Sequence, residues 1–157
     1  PPGDVWLQSF ELPDILYWIA HEPEFARQAV YLEDAESPRN LPDAAELARL
    51  HSQGVRIWAP PLFALLALDE RGEIVPSQSA LEARAAGLEL ITWSLERSGK
   101  LGSGRNGFYY QTIDRAIRQE GDVFRVLDVL ARQAHVRGVF SDWPATVTYY
   151  ANCTGLD

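Results

Sequence analysis

Methionine is absent from all 157 residues, cysteine occurs once, at Cys153, and lysine once, at Lys100. The single thiol excludes an intrachain disulfide, and it excludes zinc sites built from several cysteines. A natural open reading frame opens on methionine, so a chain starting Pro1-Pro2-Gly3-Asp4 is expected to begin inside a longer parent. That start also lacks the basic region of a signal peptide. No stretch approaches the roughly eighteen consecutive apolar residues of a membrane span. Positive charge is scarce: 14 Lys and Arg stand against 22 Asp and Glu, a net charge of −8. A general nucleic-acid binder needs the opposite field, and an anionic membrane surface would repel this chain.

What is present suits one folded domain over residues 1–157. The composition is 46% hydrophobic and 11% aromatic. That apolar content excludes low-complexity disorder. A chain of this size buries roughly 70% of its unfolded surface, enough for a core.

Apolar runs and helical spacings alternate along the chain. Strands are expected over 5–10, 29–32, 55–58, 88–93 and 138–141. Helices are expected over 12–20, from Asp43 to about Gly54, over 79–86 and over 122–135. Asp43 with Glu46 three residues on reads as a capping box. Val123, Val126, Leu127, Leu130 and Ala134 share one helical face. The rhythm of strand then helix argues for βαβ units and a parallel sheet covered by helices. On the residues alone two architectures compete, an open doubly wound sheet and a piece of a (β/α)8 barrel. A whole barrel needs about 250 residues, so this chain is too short for one.

Several motifs invite chemistry and fail on context. Residues 102–107 match the dinucleotide fingerprint G-x-G-x-x-G, but they do not directly follow a strand, and Phe108-Tyr109-Tyr110 does not open a helix. An open-sheet nucleotide-binding domain using this loop is therefore the third-ranked reading, and a mobile surface loop is the expectation. His21, His51 and His135 each fall late in a helix and none has a ligand-spaced partner. Glu33-Asp34-Ala35-Glu36 is acidic after a strand, a pattern usually found solvated rather than metal-bound. Ser9, Ser94 and Ser141 lack a nucleophile elbow. Asn152-Cys153-Thr154 is a formal glycosylation sequon. The strand ends are richer: Phe10, Trp58, Trp93 and Trp143 lie there, with Ser9, Ser94, Glu96, Ser141 and Asp142. In parallel α/β folds ligands meet the C-terminal strand ends, and an aromatic wall with a few polar groups suits a small-molecule pocket.

The order Gln8-Ser9-Phe10, Tyr31-Leu32, Ala86-Gly87-Leu88 leading to Thr92-Trp93, then Gly138-Val139-Phe140-Ser141-Asp142-Trp143-Pro144, resembles the C-terminal half of glycerophosphodiester phosphodiesterases. The resemblance covers nearly the whole chain. It implies the C-terminal part of a TIM (β/α)8 barrel, and a parent hydrolase that cleaves glycerophosphodiesters to glycerol 3-phosphate and an alcohol with a divalent metal, Mg or Ca. The family's His-Arg-Gly, Glu-x-Asp, His-Asp and Glu-Ile-Lys motifs, which carry acid–base, metal and phosphate roles, have no counterpart here. Phe10 and Trp93 carry over as substrate-binding pocket wall, with no catalytic or metal residue in this chain. The chain alone is thus expected to be inactive, and to associate with its missing N-terminal half or with itself. The rival reading is a non-catalytic half-barrel binding or interaction module. Family habit suggests a secreted or periplasmic location.

Overall fold

The computed structural model describes residues 1–156. The first strand, β1 (Gln8–Ser9), leads into α1 (Leu12–His21), whose Pro13 occupies the first turn, where no N–H is needed. A short turn, α2 (Pro23–Ala26), precedes β2 (Val30–Leu32). The helix α3 (Ala44–Ser52) starts on a full capping box. The Glu46 N–H donates to Asp43 Oδ1 at 2.9 Å, and the Asp43 N–H donates to Glu46 Oε2 at 3.0 Å. Next come β3 (Ile57–Ala59), the short helix α4 (Leu62–Leu65) and a hairpin of β4 (Leu66–Leu68) and β5 (Ile74–Pro76). Ser77 caps α5 (Gln78–Ala85) by accepting from the Ala80 N–H. Then follow β6 (Glu89–Thr92), a long crossover, α6 (Val123–Asp128) running into a π-helical turn, β7 (Gly138–Val139) and α7 (Pro144–Thr154).

Five strands form one parallel sheet in the order β1-β2-β3-β6-β7, and β4 pairs antiparallel with β5. Because the order never reverses, right-handed crossovers lay every connecting helix on the same face. The packing agrees. Ile15, Leu47, Leu50, Ala80, Leu130 and Tyr150 from the helices join Trp58 and Leu90 in the main core. The opposite face has its own cluster of Val30, Ile57, Ala59 and Ile91, flanked by Leu32, Trp93 and Phe140, and no helix contributes to it. The alternation within β3 shows the division: Trp58 points to the helices while Ile57 and Ala59 point the other way.

The sheet curls over this second face. Trp6, just before β1, lies under the Arg137 guanidinium, just before β7, at 4.6 Å. Phe10, after β1, meets Trp93, after β6. The first and last strands thus face each other across an apolar trough without pairing.

The expected C-terminal part of a (β/α)8 barrel is therefore corrected. The molecule is a small α/β domain with an open five-stranded parallel sheet and a separate antiparallel hairpin. The rhythm of strand and helix is common to open sheets and barrels, and rhythm alone carries no information about closure. The first strand is also shorter than expected. Val5 and Trp6 are each 40% exposed, because they precede the point where β2 arrives as a partner. Residues 122–135 do not form one regular helix, since a π turn over Val129–Gln133 shifts the register and buries Val129 beside Leu130.

The glycine-rich stretch between β6 and β7 is a surface loop, as expected, exposed at Gly99, Lys100, Gly102 to Arg105 and Gly107, and it is pinned at one buried residue. Asn106 is 1% exposed and ties it down. Its side-chain oxygen accepts from the Gly102 N–H at 2.7 Å. Its amide nitrogen donates to the Asp114 and Ile117 carbonyls at 3.1 and 3.2 Å. Gly102 lies against the backbone of Arg118, leaving no room for a side chain.

Candidate functional site

At the C-terminal ends of the parallel strands a cleft of about 240 Å³ opens between Gln8, Phe10, Leu32, Trp93, Arg97 and Phe140. Phe10 and Trp93, singled out from the sequence, line it together. Their rings meet edge to face, with centroids 5.7 Å apart. β1 delivers Phe10 and β6 delivers Trp93, so the contact spans the two strands between them. Trp93 is fixed from below, where its indole N–H donates to the Ala59 carbonyl at 2.9 Å. The peptide joining Trp93 to Ser94 is cis. Behind it, Leu62 N–H donates to Trp93 O at 2.7 Å, and the buried Thr92 hydroxyl donates to Pro60 O at 2.9 Å. The wall continues as a row of edge-to-face contacts from Trp93 to Tyr109, Phe108 and Phe63. Phe10 itself is 46% exposed, an apolar ring left in solvent at the mouth.

The polar side of the cleft is one linked set. Arg97 makes a forked ion pair to Asp142, with Nε and Nη2 donating to its two oxygens at 2.7 and 3.2 Å. Arg97 holds the Asp142 carboxyl below its usual range through this hydrogen bond and its charge. The Glu96 carboxylate accepts from the Ser141 hydroxyl and from the Asp142 N–H, which anchors the turn after β7 to the loop after β6. The set can present a guanidinium to an anion and aromatic faces to carbon. It offers no histidine, and its one hydroxyl with a carboxylate attached is that of Ser141, which donates to Glu96. His21 stacks on Tyr17, His51 sits against Gly87, and none of the three histidines lines the cleft.

Among the described residues no group of three or more His, Cys, Asp and Glu side chains is placed to hold a metal ion. The acidic run Glu33, Asp34 and Glu36 thus forms no such centre, and the residues present do not fit the divalent metal that the family resemblance implies. No step is derived through it.

Glu33 sits at the end of β2, its N–H bonded to Ala59 O at 3.0 Å. Burial pushes its carboxyl above the ordinary range. The indole N–H of Trp58 and the backbone N–H groups of Ala35 and Asp34 oppose that rise without cancelling it. The folded state thus holds the Glu33 proton more tightly than the unfolded chain does. Its stability is greatest below the unfolded value and falls as pH rises through the folded one. Glu33→Gln is therefore expected to raise the melting temperature at pH 7, with the gain fading towards pH 4. An equal gain at both pH values in thermal melts would assign the effect to something other than ionisation.

Sequence reasoning missed Arg97 as a cleft residue and Tyr109 as part of the wall. The one available signal was that both lie on the crossover that follows the Trp93 strand end.

Fold and cleft together define a small α/β domain with an aromatic pocket at its strand ends. No protein-family model matches the chain. It is similar to a protein named "Extracellular protein" from Arthroderma benhamiae, with 48% identity over 159 aligned positions. The match takes in 99% of this chain and 65% of that relative, so the chain spans less than two thirds of its length. No helix among the described residues is long and apolar enough to cross a membrane.

Proposed function

We propose that the chain supplies the substrate-facing wall of a secreted glycerophosphodiester phosphodiesterase, binding the diester without cleaving it. The observation that carries the reading is the Phe10–Trp93 pair opposite Arg97 in one cleft at the strand ends. A glycerophosphodiester joins a single negative phosphate to short carbon arms. A guanidinium meets the phosphate oxygens in its own plane. Aromatic faces cover the carbon arms, and they attract a quaternary ammonium head group where one is present. The extracellular naming of the similar Arthroderma protein supports secretion. Cleavage needs proton transfer and charge neutralisation, and the groups for both would come from chain outside these residues.

The test is titration of the 15N-labelled chain with glycerophosphocholine, read at the Trp93 indole N–H cross-peak and, for the variant, at the backbone N–H cross-peaks of Phe10 and Ser141. A saturable shift is expected, and Trp93→Ala should weaken binding by about tenfold or more, the scale of one lost aromatic or cation–π contact. A native-like melt for Trp93→Ala would separate binding from folding. An unmoved indole signal at tens of millimolar ligand sinks the reading, and so does metal-dependent release of glycerol 3-phosphate by the chain alone. The apolar trough bounded by Trp6, Ile91, Val139 and Phe140 favours a second reading, an interaction module that pairs with further chain or with a second copy. Self-association with no ligand shift would select it.

A further inference from the structure

Away from the strand ends, a second cavity of about 500 Å³ lies between the β4–β5 turn and the turn over Asp114–Ala116. It shares no lining residue with the aromatic cleft. The chain carries eight more acids than bases, yet four arginines line this cavity, Arg71, Arg115, Arg118 and Arg125, against three carboxylates. Two of those carboxylates are already engaged. Asp69 Oδ1 accepts from the Arg71 and Glu73 N–H groups at 2.9 and 2.8 Å, and Glu73 pairs with Arg125 at 3.0 Å. Arg125 is further held by the Ala116 carbonyl at 3.4 Å and by Asp122 at 3.6 Å. Asp122 in turn fixes the rim, accepting from the Arg118 and Gln119 N–H groups at 2.7 and 3.1 Å. Among the described residues, the side chains of Arg71, Arg115 and Arg118 make no ion pair.

Three guanidiniums without an ion-pair partner among the described residues line one cavity with a single unengaged carboxylate, Glu70, and an anion placed there is attracted by each of them. Guanidinium groups meet phosphate oxygens two at a time, and separated guanidiniums favour an anion with more than one phosphate. We infer that this arginine-lined cavity is a binding site for a small anion carrying at least two phosphate groups. Arg71, Arg115 and Arg118 supply the free charge, and Arg125, paired with Glu73 and Asp122, holds the wall between them.

The test is calorimetric titration with inorganic pyrophosphate at constant ionic strength, with orthophosphate as the comparison. Saturable 1:1 binding is expected, about tenfold tighter for pyrophosphate than for orthophosphate. The double variant Arg115→Gln, Arg118→Gln should weaken pyrophosphate by at least about tenfold, and its urea melt should be unchanged because neither side chain holds the fold. Arg49→Gln, on the exposed side of α3 and in neither cavity, should leave the titration as it was, and Arg97→Gln tells whether the anion sits in the aromatic cleft instead. Absence of saturation at millimolar pyrophosphate overturns the inference. So does equal affinity for the two anions, or loss of binding through Arg97 rather than Arg115 and Arg118.

Discussion

Asn106→Ala should cost about 3–5 kcal/mol of folding stability, since stranding a buried hydrogen-bonding group costs about 1–3 kcal/mol and three are stranded at once. The three are the Gly102 N–H and the carbonyls of Asp114 and Ile117. Alanine keeps the backbone bond from Asn106 N–H to Asp114 Oδ1 and loses the rest. The measurement is the urea midpoint at an unchanged slope. Asn106→Asp should be no better, because it removes the donor and sets a second carboxylate against Asp114. A loss below about 1 kcal/mol for the alanine variant would mean that water replaces the amide freely, and that the loop is less tightly closed than its bonds imply.

Gly102→Ala should destabilise the same loop by a different route. Gly102 has φ +78°, a left-handed conformation, and an added Cβ would lie 2.3 Å from the Arg118 carbonyl oxygen and 2.7 Å from Gln119 Cα. Both neighbours are backbone, so no side-chain rotation relieves the overlap. A left-handed alanine costs about 1–2 kcal/mol, and overpacking adds about 1–3 kcal/mol. The expected drop is about 5–20 °C in melting temperature at roughly 2–4 °C per kcal/mol for a chain of this size. Gly104 is the internal control, with φ +85° and nothing within 4 Å of its added Cβ. Gly104→Ala should show the conformational cost alone. Equal losses at the two glycines would show that the approach to Arg118 is relaxed in solution. Combined with Asn106→Ala, the Gly102 change should be less than additive, since both release the same crossover.

The loss of regularity in this crossover explains what was legible beforehand. The parallel strands that pair in chain order announced themselves through runs such as Val55 to Trp58 and Leu88 to Trp93, because burial on both faces leaves a mostly apolar run, broken near its start by Arg56 in one and Glu89 in the other. The Asp43–Glu46 box was legible for a local reason, since both its bonds close within one turn. The β4–β5 hairpin was not. Leu66-Ala67-Leu68 has neither alternation nor β-branched residues, and Pro76 argues against a strand until an edge position makes it harmless. Nor was the role of Asn106. An asparagine between glycines reads as turn chemistry, and only tertiary contact with residues 114 and 117 turns it into a buried hub. Phe10 and Trp93 were singled out as a pair by the family resemblance, whereas their mutual distance depends on sheet curl, which no short-range pattern encodes.

The unreversed strand order sets how the chain is assembled in time. Each pairing closes a single crossover, so no strand must wait for a distant segment to arrive before its neighbour can join. The sheet can grow edgewise from any pair, although each parallel pairing, from Gln8 with Val30 to Ile91 with Gly138, is non-local and correspondingly slow. One step is slower still. β7 joins β6 only after the 45 residues between Thr92 and Gly138 have been closed. That closure is the longest in the sheet, and it is the one that Asn106 and Gly102 shape. The kinetic bottleneck and the most mutation-sensitive loop then coincide. The last strand to dock is also the one that brings Ser141 and Asp142 to the cleft, so the polar half of the pocket is completed last.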